Sequence, residues 1–122
     1  MKVSLITVVY NAANTLARCI DSVISQNHPD IEYIIIDGGS TDGTLQVIDQ
    51  YRDFVNVVVS EPDKGIYDAM NKGIRRATGD IVGTLNADDA LADNDVIVAV
   101  ARLFELQNTD VVYGNLNVIG PQ

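Results

Sequence analysis

Val3-Ser4-Leu5-Ile6-Thr7-Val8-Val9 is a nearly unbroken apolar run rich in β-branched residues. A strand with one face in water alternates apolar and polar positions. A run like this one is expected where both faces are covered, as in a parallel sheet held between helices. Outward from it, Asn14 offers a helix cap, and Leu16, Cys19, Ile20, Val23 and Ile24 recur at helical spacing up to about Gln26. Ile31 to Ile36 reads as a second strand. Thr41 or Asp42 can cap a second helix, with Leu45, Ile48 and Tyr51 or Arg52 inward, and Val55 to Val59 follows as a third strand. The clearest helical period runs through Ile66, Ala69, Met70, Gly73, Ile74 and Ala77, which predicts one buried face closed by Gly79. Asp80 to Leu85 is a fourth strand. Val96, Ile97, Val100, Leu103, Phe104 and Gln107 mark a fourth helix, and Asp110 to Ile119 is a last extended stretch. The βαβαβαβαβ order predicts an α/β fold: a Rossmann-like, doubly wound, mainly parallel sheet in three α/β/α layers.

With 122 residues the chain is one domain's worth. Its 8 basic against 17 acidic residues give a formal charge of −9. That argues against binding along a nucleic-acid backbone, which needs Lys and Arg to neutralise phosphates. An acidic chain can still bind a phosphorylated ligand if a cation mediates the contact. One cysteine excludes an internal disulfide, and Cys19, on the apolar face of the first helix, is expected as a buried thiol. No apolar run approaches the ~20 residues of a membrane span, and only Lys2 precedes the first run. The expected location is cytoplasmic, with membrane association only through regions outside this sequence. Asn115 to Ile119 is followed by Gly120-Pro121-Gln122 and nothing that would cover an edge, which suggests a fragment boundary.

In such sheets ligands bind beyond the carboxyl ends of the strands, which singles out four loops. Tyr10 and Asn11 end the first strand, an aromatic that can stack on a base and an amide that can fix a turn. Asp37-Gly38-Gly39-Ser40-Thr41-Asp42-Gly43-Thr44 follows three isoleucines. It lacks both the Gly-Lys-Ser/Thr ending of a P-loop and the glycine fingerprint of dinucleotide binders. Glu61-Pro62-Asp63-Lys64-Gly65 places Lys64 just before a helix N-terminus, where both favour an anion. Asn86-Ala87-Asp88-Asp89 puts two adjacent carboxylates behind a buried strand. They repel each other unless a cation or a proton is shared. Mg²⁺ or Mn²⁺ suits them, since such ions take one or two carboxylates together with substrate phosphates.

These loops, in this order, resemble those of the family 2 glycosyltransferases, whose nucleotide-binding domain has the GT-A fold. The resemblance spans Val3 to about Ile119. It rests on Ser4 to Asn11, on Ile35 to Thr44, on Asp63-Lys64-Gly65-Ile66-Tyr67-Asp68-Ala69-Met70-Asn71-Lys72-Gly73, and on Ala77 to Asp80 followed by Leu85 to Asp89. The third segment is most similar to members that build bacterial surface polysaccharides. The resemblance implies that residues 1–122 are a nucleotide-sugar-binding domain, cut off before the acceptor-binding part. It places Thr7, Tyr10, Asn11, Asp37 and Gly38 around base and ribose. Lys64 and Asp68 border the donor site, with Asn86 and Asp88 lining it. Asp89, with Asp88, holds the metal, Mg²⁺ or Mn²⁺.

Asp37, Asp88 and Asp89 are accordingly expected to face one crevice. Two departures stand out: Gly38 and Asn86 occupy positions where the family often has Asp. The implied reaction moves a sugar from a nucleotide diphosphate to a hydroxyl, on a glycan or lipid-linked acceptor, with inversion. No residue here matches the family's catalytic base, so this stretch alone is expected to bind donor and metal without turnover. The chief competing reading is a non-catalytic nucleotide-binding or interaction module. A response-regulator-like receiver is disfavoured by Tyr10-Asn11, where it would carry carboxylates, and a nicotinamide oxidoreductase by the missing glycine fingerprint.

Overall fold

The computed structural model describes residues 1–106 and 112–115. Its elements are β1 (Val3–Val9), α1 (Ala13–Ile24), β2 (Ile31–Asp37), α2 (Thr44–Gln50), β3 (Val57–Ser60), α3 (Ile66–Arg76), β4 (Ile81–Asn86), α4 (Val96–Leu106) and β5 (Val112–Asn115). The five strands form one sheet in the order β3-β2-β1-β4-β5, and every pairing is parallel. The α/β reading from the sequence therefore holds. Of the last extended stretch, residues 110–111 and 116–119 lie outside the described residues, as do Gln107, the side chain of Tyr113 and the suggested boundary at Gln122.

β1 is central, and all seven of its residues are buried. Alternate side chains serve opposite faces. Leu5 and Val9 join Leu16, Cys19 and Ile20 of α1, Ile48 of α2, and Ile97 and Ala101 of α4 in one core cluster. Ile6 and Val8 join Ile34, Ile36, Val82 and Ala69 of α3 in the other. Burying a side chain such as Leu16 or Ile20 contributes about 2 kcal/mol each. Two glycines permit close approach. A Cβ at Gly73 would lie 2.6 Å from Ile6 Cγ2, so α3 seats directly on β1. One at Gly79 would lie 2.7 Å from the Ser4 backbone nitrogen.

Several local expectations differ from the structure. α1 begins at Ala13 with Ala12 as its N-cap and no side-chain cap bond, so Asn14 lies inside the helix. The N-cap of α2 is Gly43. Asp42 acts one residue earlier, accepting the Thr44 N–H at 2.9 Å and the Ala13 N–H at 3.3 Å, and so ties together the starts of α2 and α1. The third strand starts at Val57, because Arg52–Phe54 turns as a short 3₁₀ segment first. α3 ends at Arg76 through an extended Ala77, so Gly79 is a packing glycine and not the helix stop. Only Ala69 and Gly73 of α3 are buried; Ile66 (49 % exposed) and Ile74 (37 %) are not. Leu103 of α4 is likewise exposed. A period finds the apolar stripe of a helix but not how much of it the sheet covers. One strand layer beneath a short helix covers its middle and leaves its ends open.

Register brings the strand ends level. Val9 pairs with Asp37, Asp37 with Ser60, and Val8 with Asn86. The loops after β1, β2, β3 and β4 therefore leave the sheet at one rim.

Candidate donor-binding site

At that rim lies a cavity of about 570 Å³ lined by Val8, Val9, Tyr10, Asn11 and Ala12 from β1 and its loop, Asp63, Gly65, Ile66 and Ala69 from the start of α3, and Asn86, Ala87 and Asp88 from the end of β4. Its size suits a small ligand, for which cavities run from roughly 300 to 1,000 Å³. Tyr10 is 62 % exposed and presents an open ring face. Asn11 adopts φ 49°, a left-handed conformation that Asn tolerates. It also pins the neighbouring loop, its side-chain oxygen accepting the Thr41 N–H at 2.8 Å while its own N–H donates to Ser40 Oγ at 2.8 Å.

Four of the expected site residues, Tyr10, Asn11, Asn86 and Asp88, line this cavity. The others are placed differently. Thr7 is fully buried, and its hydroxyl shares a 2.8 Å hydrogen bond with Tyr33 Oη and lies near Cys19 Sγ. Its position in β1 points it at α1, which puts the hydroxyl in the core and not against a ligand. Asp37 is also fully buried. A carboxylate so placed must be hydrogen-bonded throughout, and it is: it accepts the Gly39 N–H at 3.1 Å, the Ser40 N–H at 3.0 Å, the Ser40 hydroxyl, and the Ser60 hydroxyl at 2.8 Å. Asp37 is the organiser of the loop and of its junction with β3. A crevice shared by Asp37, Asp88 and Asp89 is therefore not what the structure shows. Asp88 lines the cavity; Asp89 is half-buried and outside its wall, with its backbone N–H closing a turn on the Asn86 carbonyl at 3.0 Å.

Lys64 and Asp68 lie beside the cavity but not on it. Asp68 accepts the Lys64 N–H at 2.9 Å, which closes the first turn of α3. That backbone bond, aided by Lys72 and Lys64, holds its carboxyl below the ordinary value against the opposing effect of burial. Gly38 is half-buried and adds no side chain; a Cβ there would meet Asp63 Oδ2 at 2.7 Å. Asp63 was not singled out by the sequence, although its loop was. The signal lay in Gly38: a bare position opposite a carboxylate.

Cys19 is buried, as expected, and burial pushes its thiol up to about 11. It stays protonated and donates to the Asn86 carbonyl at 3.5 Å, joining the core to the cavity rim.

Among the described residues no three or more His, Cys, Asp or Glu side chains converge to hold a cation. On its β4 side the cavity offers one carboxylate, Asp88, with the Asn86 amide in the same stretch of wall. That donor set does not make an all-protein cage. It fits a hard cation that completes its shell with ligand phosphates and water. No helix among the described residues is long and apolar enough to cross a membrane.

The family described as Glycosyl transferase family 2 matches residues 4–122. A PGL/p-HBAD biosynthesis glycosyltransferase of Mycobacterium bovis is 37% identical over 117 residues, which cover 93% of this chain and 46% of that protein. Two solved structures share the fold at 26% identity. One is Staphylococcus aureus TarS in complex with UDP-GlcNAc, with a TM-score of 0.81 over 88% of this chain and 32% of that one. The other is the mannosyltransferase PcManGT of Pyrobaculum calidifontis in complex with GDP-Man and Mn²⁺, with a TM-score of 0.78 over 84% of this chain and 32% of that one. The chain thus spans less than half the length of these proteins.

Proposed function

The chain belongs to glycosyl transferase family 2, and on that premise we propose that it is the nucleotide-sugar-binding domain of a metal-dependent, inverting glycosyltransferase. The observation that carries this reading is the cavity at the carboxyl rim, which joins an exposed aromatic from β1 to a carboxylate behind β4. Tyr10 and Asn11 receive the nucleoside; Asn86 and Asp88 face the diphosphate. Asp88 makes the first contact to a divalent cation, with Asp89 as the supporting carboxylate behind it. Bound there, Mg²⁺ or Mn²⁺ supplies positive charge to the diphosphate as it leaves.

In the proposed transfer, the acceptor's hydroxyl oxygen bonds to the anomeric carbon as that carbon's bond to the diphosphate oxygen breaks. The configuration inverts, and the acceptor's proton passes to a base that we assign to no residue of this chain. The rest of the chain's part is binding and orientation. The acceptor is a glycan or lipid-linked hydroxyl, and the proposed setting is cytoplasmic, at the inner face of the membrane where the acceptor is a lipid. Support comes from the family match, from relatives that are glycosyltransferases, and from structural neighbours that hold nucleotide sugars.

Calorimetric titration of the 122-residue chain with nucleoside diphosphates, with and without Mn²⁺, tests the reading. Binding that requires the metal and is lost in Asp88→Ala is expected. Metal-independent binding, or none, overturns it in favour of a non-catalytic module.

A further inference from the structure

The cavity wall holds one polar group that the donor reading has not used. Asp63 follows β3, and one of its carboxylate oxygens, Oδ1, accepts the Gly65 N–H at 3.0 Å. The other, Oδ2, accepts no hydrogen bond from the described residues. It projects toward Gly38, into the space that a side chain at that position would fill: a Cβ there would lie 2.7 Å away. Asp37 is fully buried and occupied by its own loop. Asp63 is thus the only carboxylate on the β2–β3 side of the cavity wall, among the described residues.

We infer that Asp63 reads the nucleobase of the donor, taking the single imide N–H of a uracil-type pyrimidine on Oδ2. This rests on the nucleotide-sugar reading and goes beyond it by naming the base. Two observations orient the ligand. The sheet order puts the β2 and β3 ends on one side of β1 and the β4 end on the other. Asp63, which follows β3 and reaches over Gly38 at the β2 end, therefore stands two to three strand spacings from Asp88, on the order of 10 to 14 Å. A nucleoside extended from base to diphosphate is long enough to cross that gap. Tyr10 and Ile66, both exposed residues of the same cavity wall, offer flat and apolar surfaces to a planar ring.

The edge chemistry selects the base. A carboxylate oxygen accepts only. Uracil presents a ring N–H between two carbonyls. Cytosine presents at the same ring position a lone pair, which a carboxylate repels. Guanine presents two adjacent donors that are best met by both carboxylate oxygens, and here Oδ1 is already bonded to Gly65.

UDP and CDP differ only on that edge, so they make the test. Wild-type chain, Asp63→Asn and Asp63→Ala are titrated by calorimetry with UDP, CDP, GDP and inorganic pyrophosphate, all with Mn²⁺. Wild type is expected to bind UDP about tenfold more tightly than CDP or GDP. Asp63→Ala is expected to bring UDP down to the level of CDP, with pyrophosphate unchanged. Asp63→Asn keeps the shape and can still accept the Gly65 N–H, while its amide can donate to cytosine; it is expected to favour CDP over UDP. Equal binding of UDP and CDP by wild type, tighter GDP, or equal losses for all ligands in both variants overturns the assignment to Asp63 and leaves the donor site standing. Absence of binding by any nucleotide to wild type sinks both the donor reading and this one.

Discussion

Glu32 and Asp80 at the amino end of the parallel sheet and Asp63 and Asp88 at its carboxyl end use their carboxylates in opposite ways. At the amino end, Glu32 accepts the Ser4 hydroxyl at 2.7 Å, the Thr78 N–H at 2.9 Å and the Thr78 hydroxyl at 3.0 Å, with the Lys2 ammonium 3.9 Å away. Asp80 accepts the Lys2 N–H at 2.9 Å, and the Gly79 N–H donates to Ser4 Oγ at 2.8 Å. Both carboxylates are held by the chain itself. At the carboxyl end Asp88 is exposed and accepts no hydrogen bond from the described residues, and Asp63 keeps one oxygen open. A paired carboxylate holds the chain to itself. An open one at a cavity wall carries a field for a cation or a donor group. The difference assigns stability to Glu32 and Asp80 and binding to Asp63 and Asp88, and open acids are expected where strand carboxyl ends carry the ligand loops.

The largest test of that division is Gly79→Ala. Its new Cβ would meet the backbone of Ser4 and Lys2, which cannot rotate away. A loss of about 3 kcal/mol is expected from urea unfolding, with nucleotide binding by the folded fraction unchanged. An unchanged midpoint would break the comparison at the amino end. Next, Asp88→Asn should weaken Mn²⁺-dependent UDP binding at least tenfold, about 1.4 kcal/mol, while leaving the urea midpoint where it was. A shift in the midpoint without a shift in affinity would reverse the assignment for Asp88.

The smallest effect is in pH. Burial pushes the Glu32 carboxyl up, but the hydrogen bonds from Ser4 and Thr78, aided by Lys2, outweigh it and hold the group below its ordinary value. The unfolded chain therefore binds the proton more readily than the folded one, and stability rises with pH. The contribution is complete above the unfolded value, about 4.3, and is lost as pH falls through the lower folded value. Urea midpoints measured from pH 7 to pH 3 should fall less steeply in Glu32→Gln than in wild type. Parallel curves would remove Glu32 from the amino-end network.

Much of this could be read in advance, and the failures share a cause. The alternation of strands and helices was visible because period and β-branching are local properties. The rim loops were visible because strand ends follow from the strands. Within those loops, chemistry-bearing residues could not be sorted into those that face a ligand and those that serve the protein. Thr7 and Asp37 have the right types in the right loops, yet one bonds Tyr33 and the other its own turn. Asp63 sits beside Lys64, and the charge argument favoured the lysine. Only the packing of β2 beside β3 sets Asp63 against the bare Gly38. The period of α3 likewise marked Ile66 and Ile74 as inward, while the helix rests on β1 through Gly73 and leaves both in the open.

The order of residues alone settled the α/β class, the covered central strand and the rim where function lies, because these depend on neighbours a few positions apart. Which acids are open and which are occupied was decided in three dimensions. A carboxylate's partners come from residues tens of positions away, as with Ser60 for Asp37 or Thr78 for Glu32. Whether such a group binds a ligand or the fold depends on which donors the register of the sheet brings within about 3 Å of it.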